Sequence, residues 1–367
     1  MKGIEFFLNV GSSKISLVAV SPAKTTPVII ASSSQLYDGF MDGEFFDSTQ
    51  VTDAVQKLFA EMTSKLKVKI KKVYVGVPAE FSVCVCKRKV RKFLSVKKIN
   101  QNLTLELFDG VEDVKNIEEY KLISFSPMCY TLDSGLKTLE PVGKRSSQIS
   151  LDSSYILVKK SFVSKFDKVL INLGVKQVEY VSTILGQALS ASKQDGLDSL
   201  AIVDVGHLTT EVAILKGEGL ALLSSFSLGG GHITADIMQL LKQSYQDAEL
   251  IKRKVLLTVI PQKNEKYIVN NKDRQILAPI SITNDIVRSR IENIARIIDN
   301  ILDVDKSFED IPIYLTGDGI SNFKGVITIL EKITKRKLIE FKLPFDNSIN
   351  KFQTSSLGIA EIINRLS

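Results

Sequence analysis

LAIVDVGHLTTEVAIL, Leu200–Leu215, decides the reading of this chain. An apolar run ends in Asp204-Val205-Gly206, a polar turn of His207, Leu208, Thr209 and Thr210 follows, and an alternating apolar run leaves through Val212, Ala213 and Ile214. The pattern predicts a hairpin with an acid at its bend. Glycine lets a ligand approach the backbone, and turn amides with threonine hydroxyls are donors for an anion. The bend is therefore a candidate phosphate clamp, with Asp204 facing any metal that accompanies the phosphate. IEFFLNVGSSKISLVAV near the N-terminus has the same layout, with Asn9, Val10 and Gly11 at the bend and Ser12, Ser13 and Lys14 beyond it. Two such hairpins predict a duplicated fold holding a ligand between its halves.

The regions around the hairpins support duplication. Strands are expected at 4–10, 14–20 and 28–33, then a helix over 47–65 with Val51, Ala54, Val55, Leu58, Phe59 and Met62 on one face, and a returning strand at 72–77. The second half repeats the meander with strands ending near Val205, Leu215 and Phe226. Gly229, Gly230 and Gly231 then open a helix whose first-turn amides are candidates to hold an anion. A helix at 245–253 places Glu249 and Lys252 on one face, a spacing that is ordinarily a surface salt bridge. IPIYLTGDGI, Ile311–Ile320, runs a strand into a turn of Gly317, Asp318 and Gly319, where a nucleotide's base and sugar can pass close to the backbone. Residues 255–281 read as irregular strands, 283–302 and 321–334 as helices, and a last helix is expected at 355–366. Residues 80–163 break the pattern and predict a small inserted α+β subdomain, helical near 98–107. The polar stretch 193–200 is the expected hinge.

Composition limits the function classes. The 367 residues are 44% hydrophobic, enough for two domains or one bilobed body. Three cysteines, at 84, 86 and 129, give neither a disulfide framework nor zinc-ligand spacing. No cleavable leader or membrane-spanning run is read, so a soluble cytoplasmic protein is expected. The net charge of +7 is concentrated: Lys65–Lys98 holds 12 basic residues against the single acid Glu80, which leaves the rest of the chain net negative. This is not a nucleic-acid-binding composition. It reads as a charged strand edge, or as a contact for anionic lipid or an acidic partner.

With the motifs in order, the chain resembles FtsA, the bacterial cell-division branch of the actin and sugar-kinase superfamily. The resemblance runs through LGGGHITADI at 228–237, LNVGSSKI and VDVGHLTTEVAI for two phosphate loops, LTGDGI for an adenosine loop, DAELIK at 247–252, MDGEFFD at 41–47 and EPVGKR at 140–145. It implies an α/β fold of actin-like type, a duplicated βββαβα pattern with a nucleotide cleft between two lobes. The implied layout is a first lobe of 1–79 completed by 164–198 and 343–367, an FtsA-type insert at 80–163, and a second lobe at 199–342 with a smaller subdomain near 244–308. It also implies ATP and Mg2+ as cofactors, with Asn9, Gly11, Ser12, Ser13, Lys14, Asp204, Gly206, Thr209, Thr210, Gly229, Gly230, Gly231, Glu249, Lys252, Gly317, Asp318 and Gly319 around them, and Asp204 and Asn9 reaching the metal, Asn9 through water. The implied partners are FtsZ, later division proteins, other copies in a filament and a weak anionic-membrane contact, with no nucleic acid, at the inner face of the membrane at the division site.

Departures from the family pattern weaken the catalytic half. Asn9 stands where the first loop usually has Asp, His207-Leu208 stands for Gly-Gly, and Glu211 closes the second loop in place of Asp. Thr183, with Gln187 one turn on, occupies the place of the acid between the halves. The chain shows no amphipathic membrane-anchoring tail. These departures predict at most a slow ATPase. The alternative function is a non-polymerising actin-fold adaptor resembling PilM of pilus assembly.

Overall fold

The computed structural model describes residues 3–21, 28–108, 114, 117–271 and 274–341. The helix expected at 355–366 and the segment 343–367 assigned to the first lobe lie outside the described residues.

The described chain runs β1 (Glu5–Val10), β2 (Lys14–Ser21), β3 (Val28–Leu36), a short β4–β5 hairpin (Phe40–Met41, Glu44–Phe45), α1 (Ser48–Leu66), β6 (Lys72–Val77), β7 (Ser82–Lys98), α2 (Gln101–Glu106), β8 (Tyr120–Leu132), β9 (Lys137–Thr138), β10 (Arg145–Lys159), α3 (Lys160–Asn172), β11 (Gln177–Ser182) and α4 (Thr183–Asp195). It continues with β12 (Ser199–Val205), β13 (Thr210–Lys216), β14 (Gly219–Phe226), α5 (Gly230–Leu240), α6 (Tyr245–Lys252), β15 (Lys266–Asn271), β16 (Arg274–Pro279), α7 (Ile280–Leu302), β17 (Ile313–Thr316), α8 (Val326–Thr334) and β18 (Leu338–Glu340).

Two five-stranded sheets share one topology. The first has order β11-β6-β1-β2-β3 and the second β14-β13-β12-β17-β18. In each, an antiparallel meander is extended by two parallel strands: β6 beside β1 and β11 beside β6, and β17 beside β12 and β18 beside β17. This is the duplicated α/β fold that the two hairpins predict.

Local chemistry sets the helices. Asp47 caps α1 by accepting from the backbone N–H groups of Thr49 and Gln50, a contact typically worth about 1 kcal/mol. The helix buries Val51, Ala54, Val55, Leu58, Phe59 and Met62 and ends at Lys67 with φ 53. Helix α4 differs, being buried almost all round, with Ser182 capping it at the Leu185 amide and Gly196 ending it at φ 65. Such a helix belongs inside a core. Its Ile184, Leu185, Ala188 and Leu189 join Phe7 and Val18 of the first sheet to Ile202, Ala213 and Leu215 of the second in one hydrophobic cluster. The lobes are thus welded through α4, while each sheet's other face carries a core of its own.

Residues 82–159 form a separate four-stranded sheet of order β7-β10-β8-β9 over a smaller core that includes Ile99, Leu107, Tyr130, Ile149 and Tyr155. Strand β7 is longer than the apolar run 81–86 suggests, because Lys87–Lys98 stays in the sheet as its charged edge. The basic strip therefore divides between the region after α1 and this edge strand. The inserted sheet rests on the hairpin between β13 and β14. Ser154 Oγ donates to Leu220 O at 2.7 Å, and Glu218 N donates to Pro127 O at 3.0 Å. Gly217 sits at φ 59, and an added Cβ would lie 2.3 Å from Met128 O. Gly217→Ala is expected to cost about 1–3 kcal/mol through overpacking, with left-handed backbone strain added. Denaturant unfolding checks this; stability within about 0.5 kcal/mol of wild type, the range of ordinary surface changes, contradicts the contact.

Candidate functional site

Between the two sheets lies a cleft of about 1030 Å³. The bends of both hairpins face into it. From the first lobe it is lined by Asn9 through Lys14, Tyr37, Asp38, Glu80, Phe81 and Thr183. From the second it is lined by Asp204, Gly206, His207, Leu208, Thr209, Glu211, Gly230, Tyr245, Glu249, Lys252, Arg253 and the turn Gly317–Gly319. Fifteen of the sequence-predicted residues therefore share one cavity: Asn9, Gly11, Ser12, Ser13, Lys14, Thr183, Asp204, Gly206, Thr209, Gly230, Glu249, Lys252, Gly317, Asp318 and Gly319.

Three turns of the second lobe close on one another by backbone contact. Gly230 N donates to Gly206 O at 2.9 Å, Gly231 N to His207 O at 2.7 Å, and Gly319 N to Val205 O at 2.8 Å. A Cβ on Gly319 would fall 2.3 Å from Gly206 O, and one on Gly230 would fall 2.6 Å from Gly319 Cα. The glycines therefore serve chain-to-chain approach within the second lobe. The N–H of Gly229 also points elsewhere, to His232 Nδ1 at 3.1 Å. The first amides of α5 are committed to protein acceptors, so this helix end is not an open anion cradle.

Other predicted residues are similarly committed. Thr210 is fully buried and its hydroxyl donates to Leu228 O at 2.6 Å, outside the cleft. Thr183 Oγ1 donates to Val77 O at 3.2 Å. Gln187 does not line the cleft; its Nε2 donates to Asp204 Oδ2 at 2.8 Å, which holds the acid in place and leaves Gln187 with no approach to a substrate. Glu249 and Lys252 are the reverse case. Their ion pair, 2.6 Å, is not the surface bridge that the spacing ordinarily gives, since Lys252 is only 8% exposed. Its ammonium also donates to Gly230 O at 3.0 Å and Thr234 Oγ1 at 2.8 Å. Burial opposes the charge on Glu249, but Lys252 and the Thr234 hydroxyl outweigh it and hold the carboxyl below its ordinary value.

Two residues in the second hairpin bend span the cleft or its rim. Leu208 N donates to Ser12 Oγ at 3.1 Å, joining the hairpins, and the Leu208 side chain packs against the first lobe's core. His207 Nε2 meets Tyr245 Oη at 3.0 Å, and burial followed by the nearby Lys252 charge keeps this imidazole below its usual pKa. A second bridge, Lys14 Nζ to Asp318 Oδ2 at 3.7 Å, crosses the cleft beside them.

Carboxylates collect at the same end. Ala79 N donates to Glu211 Oε1 at 3.0 Å, another link between lobes. Glu80 faces Glu211 and Thr209, yet neither of its carboxylate oxygens touches solvent or makes a hydrogen bond of good geometry. Burial pushes Asp204 up to about 6, against the Gln187 amide and with Asp318 and Glu80 adding to the rise. Burial, then the charges of Glu80 and Asp204, pushes Glu211 well above its ordinary value, and burial raises Glu80. Sequence reasoning missed Glu80, although a signal existed: it is the single acid within the strip of 12 bases.

These raised values set a pH dependence. The folded chain holds the protons more tightly than the unfolded one, so ionisation costs stability. The cost is absent below the ordinary carboxylate range and grows as pH rises through about 6 for Asp204. Glu211→Gln keeps an acceptor for the Ala79 amide and removes the ionisable group. It should stabilise the protein by about 1–2 kcal/mol at pH 8, with the gap narrowing toward pH 5. Melting curves across that range check the sign; a variant less stable than wild type at pH 8 contradicts it.

The comparisons with known proteins agree with this geometry. A family model described as cell division protein FtsA matches residues 201–357. Cell division protein FtsA of Enterococcus faecalis is 22% identical over 351 residues, 90% of this chain and 77% of that protein. FtsA of Bacillus subtilis is 19% identical over 343 residues, with 90% and 77% covered. Among solved structures, a PilM-PilN type IV pilus biogenesis complex superposes with TM-score 0.65 at 14% identity over 98% of both chains. MreB5 of Spiroplasma citri bound to ADP superposes with TM-score 0.55 at 12% identity, over 100% of this chain and 97% of that one. Duplicated sheets and an interlobe cleft give this chain an actin-like fold. In sequence, the chain is similar to FtsA cell-division proteins over about 90% of its length at low identity.

Proposed function

We propose that this protein works in bacterial cell division as an FtsA-like actin-fold scaffold that binds a nucleotide in the interlobe cleft, assembles into filaments and links FtsZ, and later division proteins, to the membrane's inner face. The observation that carries the reading is the pair of equivalent hairpin bends facing each other across one cleft, in a chain related to FtsA along most of its length. Nucleotide binding acts here as a joint between lobes, and turnover is slow or nil. No acid stands at Thr183 to orient a water, and its hydroxyl is bonded to Val77 O.

The family's ATP and Mg2+ fit this cleft unequally. The nucleoside end suits them: Glu249, fixed by Lys252, offers an acceptor, and the Gly317–Gly319 turn offers close backbone approach. The phosphate end does not. The N–H groups of Gly230, Gly231 and Gly319 are bonded to backbone carbonyls, and among the described residues no three His, Cys, Asp or Glu side chains are arranged to hold a metal ion. No chemical step is assigned to a bound Mg·ATP.

Membrane contact in this reading is electrostatic and divided between the lysines after α1 and the β7 edge, at roughly 1 kcal/mol per basic residue near an anionic surface. Co-sedimentation with FtsZ polymers tests the scaffold role: pelleting with FtsZ at micromolar concentration is expected, and its absence with native FtsZ overturns it. Flotation with anionic vesicles should be weak and lost as salt is raised, whereas tight salt-resistant binding contradicts the electrostatic contact.

A further inference from the structure

The phosphate end of the cleft is closed by the protein's own groups. A triphosphate reaching between the two hairpin bends must part Leu208 N from Ser12 Oγ, a 3.1 Å contact, and lift the Leu208 side chain from the first lobe's core. Past that point the donors that would receive it are engaged, since the Gly230, Gly231 and Gly319 amides each bond a backbone carbonyl within 2.9 Å. Replacing those bonds exposes three acceptors without new partners, which opposes entry.

Charge acts in the same direction. Asp204, Glu80 and Glu211 line the cleft beside this gap, and the Lys14 ammonium that could offset them is paired with Asp318. Burial already holds these carboxylates toward their neutral forms because the space solvates charge poorly, and each phosphate added to a ligand meets the same desolvation cost. The opposite end carries a different set of groups. Glu249, held in place by Lys252, supplies an acceptor, and Val255 and Phe323 supply apolar wall for a flat ring.

We infer that the cleft takes a nucleoside or nucleoside monophosphate in preference to a triphosphate, with Leu208 the residue that sets this limit. The inference rests on the nucleotide-binding reading above and narrows its ligand class. It makes the cleft a joint that responds to the nucleoside without reading a terminal phosphate.

Titration calorimetry of the full chain with adenosine, AMP, ADP and ATP, each with magnesium present, tests it. AMP or adenosine should bind at least tenfold tighter than ATP. Leu208→Gly should bring ATP at least tenfold closer while leaving adenosine within threefold of wild type. Leu208→Ala, which keeps the turn's backbone preference, should move ATP in the same direction by less. ATP binding to wild type as tightly as AMP or tighter overturns the inference and leaves nucleotide binding standing. Absence of heat with every ligand at millimolar concentration overturns both. The wild-type comparison decides the matter even where a variant fails to fold.

Discussion

Glycine at positions 230, 317 and 319 lets three segments of the second lobe meet more closely than side chains would permit. A Cβ at Gly317 would lie 2.3 Å from Val205 O, and one at Gly319 would lie 2.3 Å from Gly206 O. The bend after β12, the entry to α5 and the turn after β17 therefore form one hydrogen-bonded unit. The position of α5 follows from this contact, and through Thr234 and Gly230 O so does the placement of the buried Lys252. A buried ammonium is tolerable only with its partners fixed, and here three acceptors are held by two helices that the glycine contacts keep in register.

The two ends of the cleft differ because of how these contacts spend donors and gather charge. At one end a buried ion pair and a glycine turn leave polar groups beside apolar wall. At the other, backbone amides are consumed, Leu208 crosses to the first lobe, and three carboxylates face one another with raised proton affinity. The same acids couple the lobes, since Glu211 of the second accepts from Ala79 of the first.

Much of the fold was legible in the sequence because it is written in period and repetition. The alternating runs on either side of Asn9-Val10-Gly11 and Asp204-Val205-Gly206 predict the two meanders, and the helix expected from Asp47 starts there, whereas Gly196, read as part of a hinge at 193–200, ends α4. Strand β7 was harder to read, because lysines and arginines at the edge of a sheet remove the apolar alternation by which strands are recognised. The site was legible in its membership and less so in its bonding. Sequence spacing brings Gly230, Asp204 and Ser12 to one cleft, but whether an amide there is open to a ligand depends on which carbonyl lies within 3 Å, a distance that tertiary packing sets. Glu249 and Lys252 illustrate the same limit: their spacing is that of an ordinary surface pair, and only the packing of α6 against α5 buries them. Leu208 was visible as a departure from glycine, while its contact with Ser12 joins residues 196 positions apart.

The central claim is that the glycine turns are bonded to each other and so are not a waiting anion site. Amide hydrogen exchange, resolved residue by residue by nuclear magnetic resonance, tests it most directly. The account predicts that the Gly230, Gly231 and Gly319 N–H groups exchange slowly in the free protein and remain equally protected when ATP and magnesium are added. Fast exchange of all three in the free protein, with protection gained only on adding ATP, would contradict it.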